Sequence, residues 1–357
     1  VITKQTTFIL GAGFSYELRM PLGSELKTLI HKACSEMLLH GDRSTADRSC
    51  YLAVGSDPER LTTALRTIRD ALDHHSSIDN LVHHFAHQGD VARIAKIRIA
   101  EAILSREASC MWASTVREEE RYEARQRMAI EKANRSGLKA LFEIIMAGCS
   151  RPLIEDAFAS IGFINFNYDR TLEHYLLNAL KQRSQLAPAQ AASVVEGLKI
   201  WRPYGPVGDY PLAGRRGVPF GASTADLIDV ASNIRTYSEA VSDDELKDAR
   251  EFLANSAQIV FLGCAYHRQN LDLLQSRNRL AFGLKIYGTH YVPPPADPDE
   301  HATIGMREFL GPALPLTAMD IWDAVGASDP RADRVILEPL TSRQLIEMYG
   351  PVWSRPA

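Results

Sequence analysis

The 357 residues are 45% hydrophobic and 24% charged, enough for a large core and two lobes. A formal net charge of −4 gives no basic surface, so neither sequence-specific nucleic-acid binding nor docking on an anionic membrane is expected. No apolar run approaches membrane-spanning length, and the first strand starts so early that little room is left for a removable leader.

The chain opens on Phe8-Ile-Leu-Gly-Ala-Gly-Phe-Ser15, followed by Met20-Pro-Leu-Gly23. The apolar run reads as a buried parallel strand. Gly11 and Gly13 then permit a sharp turn that brings amides close to a ligand. Ser24 is the candidate N-cap of the next helix. A strand, a glycine turn and a helix N-terminus together favour an anion. Any tight strand-to-helix turn looks similar, and the third glycine of the dinucleotide fingerprint is missing.

From Glu25 to about Ala157 the sequence reads as helical. Leu26, Leu29, Ile30 and Ala33 share one face, as do Leu61, Leu65, Ile68 and Leu72, then Ile94, Ile97, Ala100 and Leu104. Glu118–Lys132 is almost all charged or small and reads as a solvated helix, after which Leu138, Leu141, Ile144 and Ile145 return to core spacing. Within this region lies Ser76-Ser-Ile-Asp-Asn80, where Ser77 caps a helix and Asp79 sits in its first turn. His83 and His87 are four apart on one helical face, a metal-like spacing. No zincin glutamate and no third ligand accompany them, so no metal is expected.

Ile161-Gly-Phe-Ile-Asn-Phe-Asn-Tyr-Asp169 is a second buried strand that ends in polar residues before a helix. Asn167 and Asp169 therefore stand at the carboxyl edge of the sheet, where open α/β sheets bind ligands. Capping the helix is a sufficient reason for Asp169. Residues 182–197 read as an exposed helix or linker. Leu198–Gly208 reads as a strand running into a Pro/Gly turn. Another buried strand, Gln258–His267, meets a glycine and then a helix beginning at Arg268. Further strands are read at Lys285–Val292, ended by Pro293–Pro295, and at Arg334–Glu338, with a short helix at Ser342–Met348. The five cysteines are scattered with no Cys-x-x-Cys pair, which fits a reducing cytosol and excludes a zinc knuckle.

Three strand-end motifs thus occur in order: Gly11-Ala-Gly-Phe-Ser15, Asn165-Phe-Asn-Tyr-Asp169 and Gly263-Cys-Ala-Tyr-His267. With Ser77-Ile-Asp-Asn80 they resemble the bacterial SIR2-like family, sirtuin-related NAD-consuming domains of anti-phage systems. The resemblance spans about residues 6–290. It implies an α/β fold: a Rossmann-like parallel sheet in residues 1–24 and 158–292, a helical lobe in 25–157, and a C-terminal extension, 293–357, packed on the core.

The implied activity is cleavage of the nicotinamide–ribose bond, with NAD as substrate and no zinc, since the zinc cysteines of protein-deacylating sirtuins are absent. Asn167 matches the family's active-site asparagine. Gly11, Ala12, Gly13, Phe14 and Ser15 match its phosphate and ribose loop. Gly263, His267 and Asn270 line the adenosine or ribose end, and Asp79 joins the binding set. Asn167, Asp169, Tyr204 and His267, the last as a substitute base, are the catalytic candidates.

In the segment Trp201-Arg-Pro-Tyr-Gly205, Tyr204 and Arg202 stand at the two places where the family carries its catalytic histidine. Neither is a base near neutral pH, because tyrosine titrates near ~10 and arginine stays charged. A glycohydrolase, a catalytically impaired NAD- or ADP-ribose-binding subunit of a defence complex, and a nucleotide-modifying hydrolase all remain open. The family further implies gating by homo-oligomerisation or by a partner such as a HerA-type ATPase or an Argonaute-like protein.

Overall fold

The computed structural model describes residues 2–110, 136–149, 154–212, 216–223, 225–236, 239, 243–275, 283–289 and 335–354. The charged segment Glu118–Lys132 and the Pro293–Pro295 run lie outside them.

The glycine motif begins with β1 (Thr6–Leu10) and a one-turn helix α1 (Ala12–Tyr16). A helical layer follows: α2 (Gly23–His40), α3 (Thr45–Ala53), α4 (Pro58–Ala71), α5 (Ile78–His84) and α6 (Gly89–Ser109). Next come α7 (Gly137–Ile145), β2 (Ile161–Asn165), α8 (Thr171–Arg183), α9 (Pro188–Glu196) and β3 (Lys199–Trp201). The chain continues through α10 (Leu227–Ser232), α11 (Asp243–Ala254), β4 (Gln258–Leu262) and α12 (Arg268–Leu274). It ends with β5 (Lys285–Thr289), β6 (Val335–Glu338) and α13 (Ser342–Trp353).

All strands run parallel in the order β3-β2-β1-β4-β5-β6, the doubly wound arrangement expected. β1, β2 and β4 are buried along their whole length, because helices cover both faces. Leu10 lies opposite both Asn165 and Leu262, so the chain leaves these three strands at one level of the carboxyl edge. The winding reverses between β1 and β4, which opens a crevice there.

Alternate side chains divide the core. Ile9, Ile164, Ile259, Phe261 and Ile286 share one apolar cluster with α2–α6 and α10–α12. Phe8, Leu10, Phe163, Val260, Leu262 and Tyr287 share the other with α7, α8, α9 and α13. Phe8 stacks on Phe163 at 5.7 Å, and Trp353 of α13 packs edge-on against Phe8 and Tyr287.

Several local expectations change. The N-cap of α2 is Leu22, not Ser24; the Glu25 carboxylate accepts the Leu22 amide at 3.1 Å and supplies the capping bond. α7, read with the helical lobe, packs on the opposite face of the sheet. Of the exposed helix or linker read at 182–197, the helix forms as α9, and its inner face buries Ala191, Ala192, Val194 and Val195. α5 stops at His84, so His83 and His87 do not share a helical face. Among the described residues no cluster of three His, Cys, Asp or Glu side chains could hold a metal, and no helix is long and apolar enough to cross a membrane. The C-terminal segment does more than cover the core, since β6 pairs with β5 and extends the sheet.

Candidate active site at the carboxyl edge of the sheet

The glycine loop is shaped by backbone contact with the exit of β4. Gly13 N donates to Gly263 O at 2.9 Å, Gly11 N to Leu262 O at 3.0 Å, and Phe14 N to Gly11 O at 2.9 Å. A Cβ on Gly11 would lie 2.6 Å from Gly263 O. Gly263 has φ +63°, and its own Cβ would collide with Phe14 N. These glycines are therefore required by packing. Three of the amides expected to cradle phosphate are engaged inside the protein.

What the loop presents is the Gly11 carbonyl and the Ser15 hydroxyl. Asn167 Nδ2 donates to Gly11 O at 3.0 Å and to Ser15 Oγ at 3.1 Å. Gly11 O can only accept, so it is the amide nitrogen that faces the loop. Both Nδ2 hydrogens are thereby used, and Oδ1 has no hydrogen-bond partner among the described residues. The Asn167 main-chain amide donates to Asn165 Oδ1 at 3.0 Å, which provides the partner that the buried Asn165 needs.

Asp169 belongs to the same cluster. Its Oδ1 accepts from Thr171 N at 3.1 Å, Thr171 Oγ1 at 2.5 Å and Ser15 Oγ at 3.1 Å. The N-cap of α8 is Arg170 and carries no side-chain cap, so Asp169 does not cap the helix as read from the sequence; it closes a turn onto Thr171, two residues on, with a further bond to the glycine helix. Burial raises the Asp169 pKa above the ordinary carboxylate value, and the Thr171 bonds only partly offset it.

A second polar group joins the helical layer to the sheet edge. The Tyr168 hydroxyl donates to the Asp79 carboxylate, and Gln269 Nε2 to Asn80 Oδ1 at 2.7 Å. Ser77 caps α5 by accepting Asn80 N at 3.1 Å, as expected. Burial raises the Asp79 pKa. The Tyr204 hydroxyl donates to Asn270 Oδ1 at 2.6 Å, and its ring packs against Phe166 and Tyr168.

Beneath these groups a cavity of about 10 Å³, room for one water, is lined by Ile9, Phe166, Phe261, Cys264 and Asn270 at the strand-order reversal. A larger open groove, about 220 Å³, runs between residues 217–219 and α10, and none of the expected site residues lines it.

Gly11, Ser15, Asn167 and Asp169 are thus brought together, Ala12 and Phe14 lie in α1 between them, and Asp79, Tyr204 and Asn270 form the adjoining rim. His267 stands apart. It is exposed at the N-cap of α12, where its carbonyl accepts Asn270 N and Leu271 N. No hydrogen bond ties it to Asn167. Tyr266, just before it, has φ +51°, a rare backbone state for an aromatic residue. Its hydroxyl holds the turn by donating to Thr289 O at 3.0 Å.

Sequence reading missed Thr171, Glu173, Gln269 and the part played by Arg202. Asp-x-Thr before a helix is a legible turn signal. Nothing local connects Arg202 with Glu173. Comparison with protein families, curated proteins and solved structures found no match.

Proposed function

We propose that the chain is a NAD⁺ glycohydrolase that cleaves the nicotinamide–ribose bond at the Asn167 edge of the sheet. The observation that carries this reading is the anchored Asn167 amide. Its nitrogen is held by Gly11 O and Ser15 Oγ, leaving Oδ1 as an oriented acceptor beside a carboxyl of raised pKa. The likeness of the three strand-end motifs to SIR2-like domains supports the choice of substrate.

In the reaction, the C1′–N1 bond breaks and its electron pair leaves with nicotinamide. The oxocarbenium carbon takes a water oxygen, the water gives up one proton, and ADP-ribose results. Nicotinamide leaves as a neutral base and needs little acid help. The protein's tasks are to hold the ribose, orient water and accept the proton. Asn167 Oδ1 accepts from a ribose hydroxyl or the water. Asp169, whose pKa burial raises, is the proton acceptor in its carboxylate form. The glycine loop serves this chemistry as the scaffold of Asn167. Depletion of NAD in phage defence, gated by self-assembly or by an ATPase or Argonaute-like partner, is the biological role that the likeness supports.

A second reading, a NAD- or ADP-ribose-binding subunit without turnover, draws on Tyr204, whose hydroxyl is bonded to Asn270 and offers no base. Nicotinamide release by the purified chain, beside Asn167→Ala, separates the two. Release abolished by the substitution upholds the glycohydrolase. Binding of NAD by calorimetry without release upholds the binding subunit, and full activity in a folded Asn167→Ala protein refutes the site.

A further inference from the structure

Arg202 follows β3 and is almost fully buried, its side chain 9% exposed. Its Nε and Nη2 donate to the Glu173 carboxylate at 3.2, 2.7 and 2.7 Å. Its Nη1 donates to Asn167 O at 2.7 Å and Asp169 O at 3.0 Å. A guanidinium only donates, and here the Glu173 carboxylate engages one of its edges and the two main-chain carbonyls engage another. Arg202 therefore has no capacity as a base.

Its effect falls on the segment between β2 and α8. Tyr168 O, between the two carbonyls held by Arg202, accepts Val207 N at 3.0 Å. Three consecutive carbonyls of the Asn-Tyr-Asp stretch are thus fixed from the β3 side. Asn165 Oδ1 holds the Asn167 amide from the other side. Glu173 sits in the first turn of α8, where its charge is favoured, so the guanidinium rests on a rigid anchor.

We propose that Arg202 and Glu173 are positioning residues, which set the pose of the Asn167 amide by clamping the main chain on both sides of Tyr168. The proposal rests on the glycohydrolase reading for its kinetic consequence. Lysine would keep the charge at Arg202 but lacks the planar fork that reaches one carboxylate and two carbonyls together.

The test combines kinetics with amide hydrogen exchange on the full chain. In Arg202→Lys, kcat for nicotinamide release is expected to fall about 10- to 100-fold while KM for NAD stays within about twofold, because pose is lost and not affinity. Exchange should quicken in residues 166–170 and stay unchanged in β1 and β4. Glu173→Gln should shift both readouts in the same direction by less, since shape is kept and only the charge is removed. It also serves where Arg202→Ala does not fold. Where that variant folds, guanidinium ion in solution should restore kcat saturably.

Unchanged exchange at 166–170 overturns the proposal. So does a loosened segment with unaltered kcat, or a raised KM at constant kcat. A wild-type chain without nicotinamide release removes the glycohydrolase reading alone. The exchange arm then still upholds the clamp if 166–170 loosen, or overturns it if they do not.

Discussion

At the scale of single residues, burial and hydrogen bonding decide which titratable groups carry chemistry and which carry stability. Asp169 has a raised pKa, caused first by burial. Its ionised form therefore opposes folding above the ordinary value of 3.8, and the penalty vanishes once pH falls low enough to protonate both folded and unfolded chains. Asp169→Asn keeps an acceptor for Thr171 N. It should unfold at a temperature no lower than wild type at pH 7 and lose about 100-fold in nicotinamide release. The wild-type rate should fall on acidification above the usual carboxylate range; thermal melts and a pH–rate profile check these outcomes.

His174 has the opposite sign. Its ring stacks on Phe220 at 4.0 Å, its Nδ1 bonds the Tyr210 hydroxyl at 2.8 Å, and burial pulls its pKa from 6.5 to about 3. The unfolded chain takes up the proton first, so stability is lost as pH falls below 6.5, by about 1.4 kcal/mol per pH unit, until about pH 3. Subtracting the urea-unfolding profile of His174→Gln from that of wild type should isolate this slope. Equal slopes in the two proteins would refute it.

At the scale of elements, the glycine loop and the β4 exit form one packed unit. Gly263 needs its positive φ, and no side chain fits between it and Phe14. Gly263→Ala should cost about 1–3 kcal/mol from backbone strain, with more from the displaced loop, and should impair nicotinamide release along with stability. Denaturant unfolding with kinetics on the folded fraction checks this. α5 meets the sheet edge through Asp79 and Tyr168 and through Asn80 and Gln269. Tyr168→Phe leaves the half-buried Asp79 carboxyl without that donor. Faster amide exchange in α5, with α2 unchanged, is the expected outcome.

At the scale of the whole molecule, Glu107 at the end of α6 and Arg170 at the start of α8 join the helical layer to the carboxyl edge of the sheet. Both side chains are 0% exposed and meet at 2.6 Å. Glu107 also accepts Gly221 N at 3.0 Å, and Arg170 donates to the carbonyls of Val218 and Pro219. Removing one partner strands a buried charge. Glu107→Gln should therefore cost about 3–5 kcal/mol, whereas Glu107→Leu with Arg170→Met should recover much of that loss. Equilibrium unfolding of the single and double variants measures the difference, and equal losses would mean that the pair contributes only through packing.

Local chemistry was sufficient to determine much of this architecture. Apolar runs bounded by glycine or polar residues marked β1, β2 and β4. Periodicity marked the faces of α4 and α6, and Ser77 marked the start of α5. Each of these signals lies within one element, so a linear reading finds it. The partners of the site residues lie far away in sequence. Asn167 Nδ2 meets Gly11 O, Arg202 meets Glu173, and Tyr204 meets Asn270 only after the parallel strands bring their carboxyl ends to one edge. The same holds for the glycines: the motif was legible, but that Gly11 and Gly13 are required by the approach of Gly263 was not. Sequence alone thus determined that Gly11, Asn167 and Asp169 reach the edge of the sheet. Only the tertiary structure decided which way the Asn167 amide faces and that Arg202 is a clamp, because hydrogen-bond donors and acceptors choose partners by proximity in space.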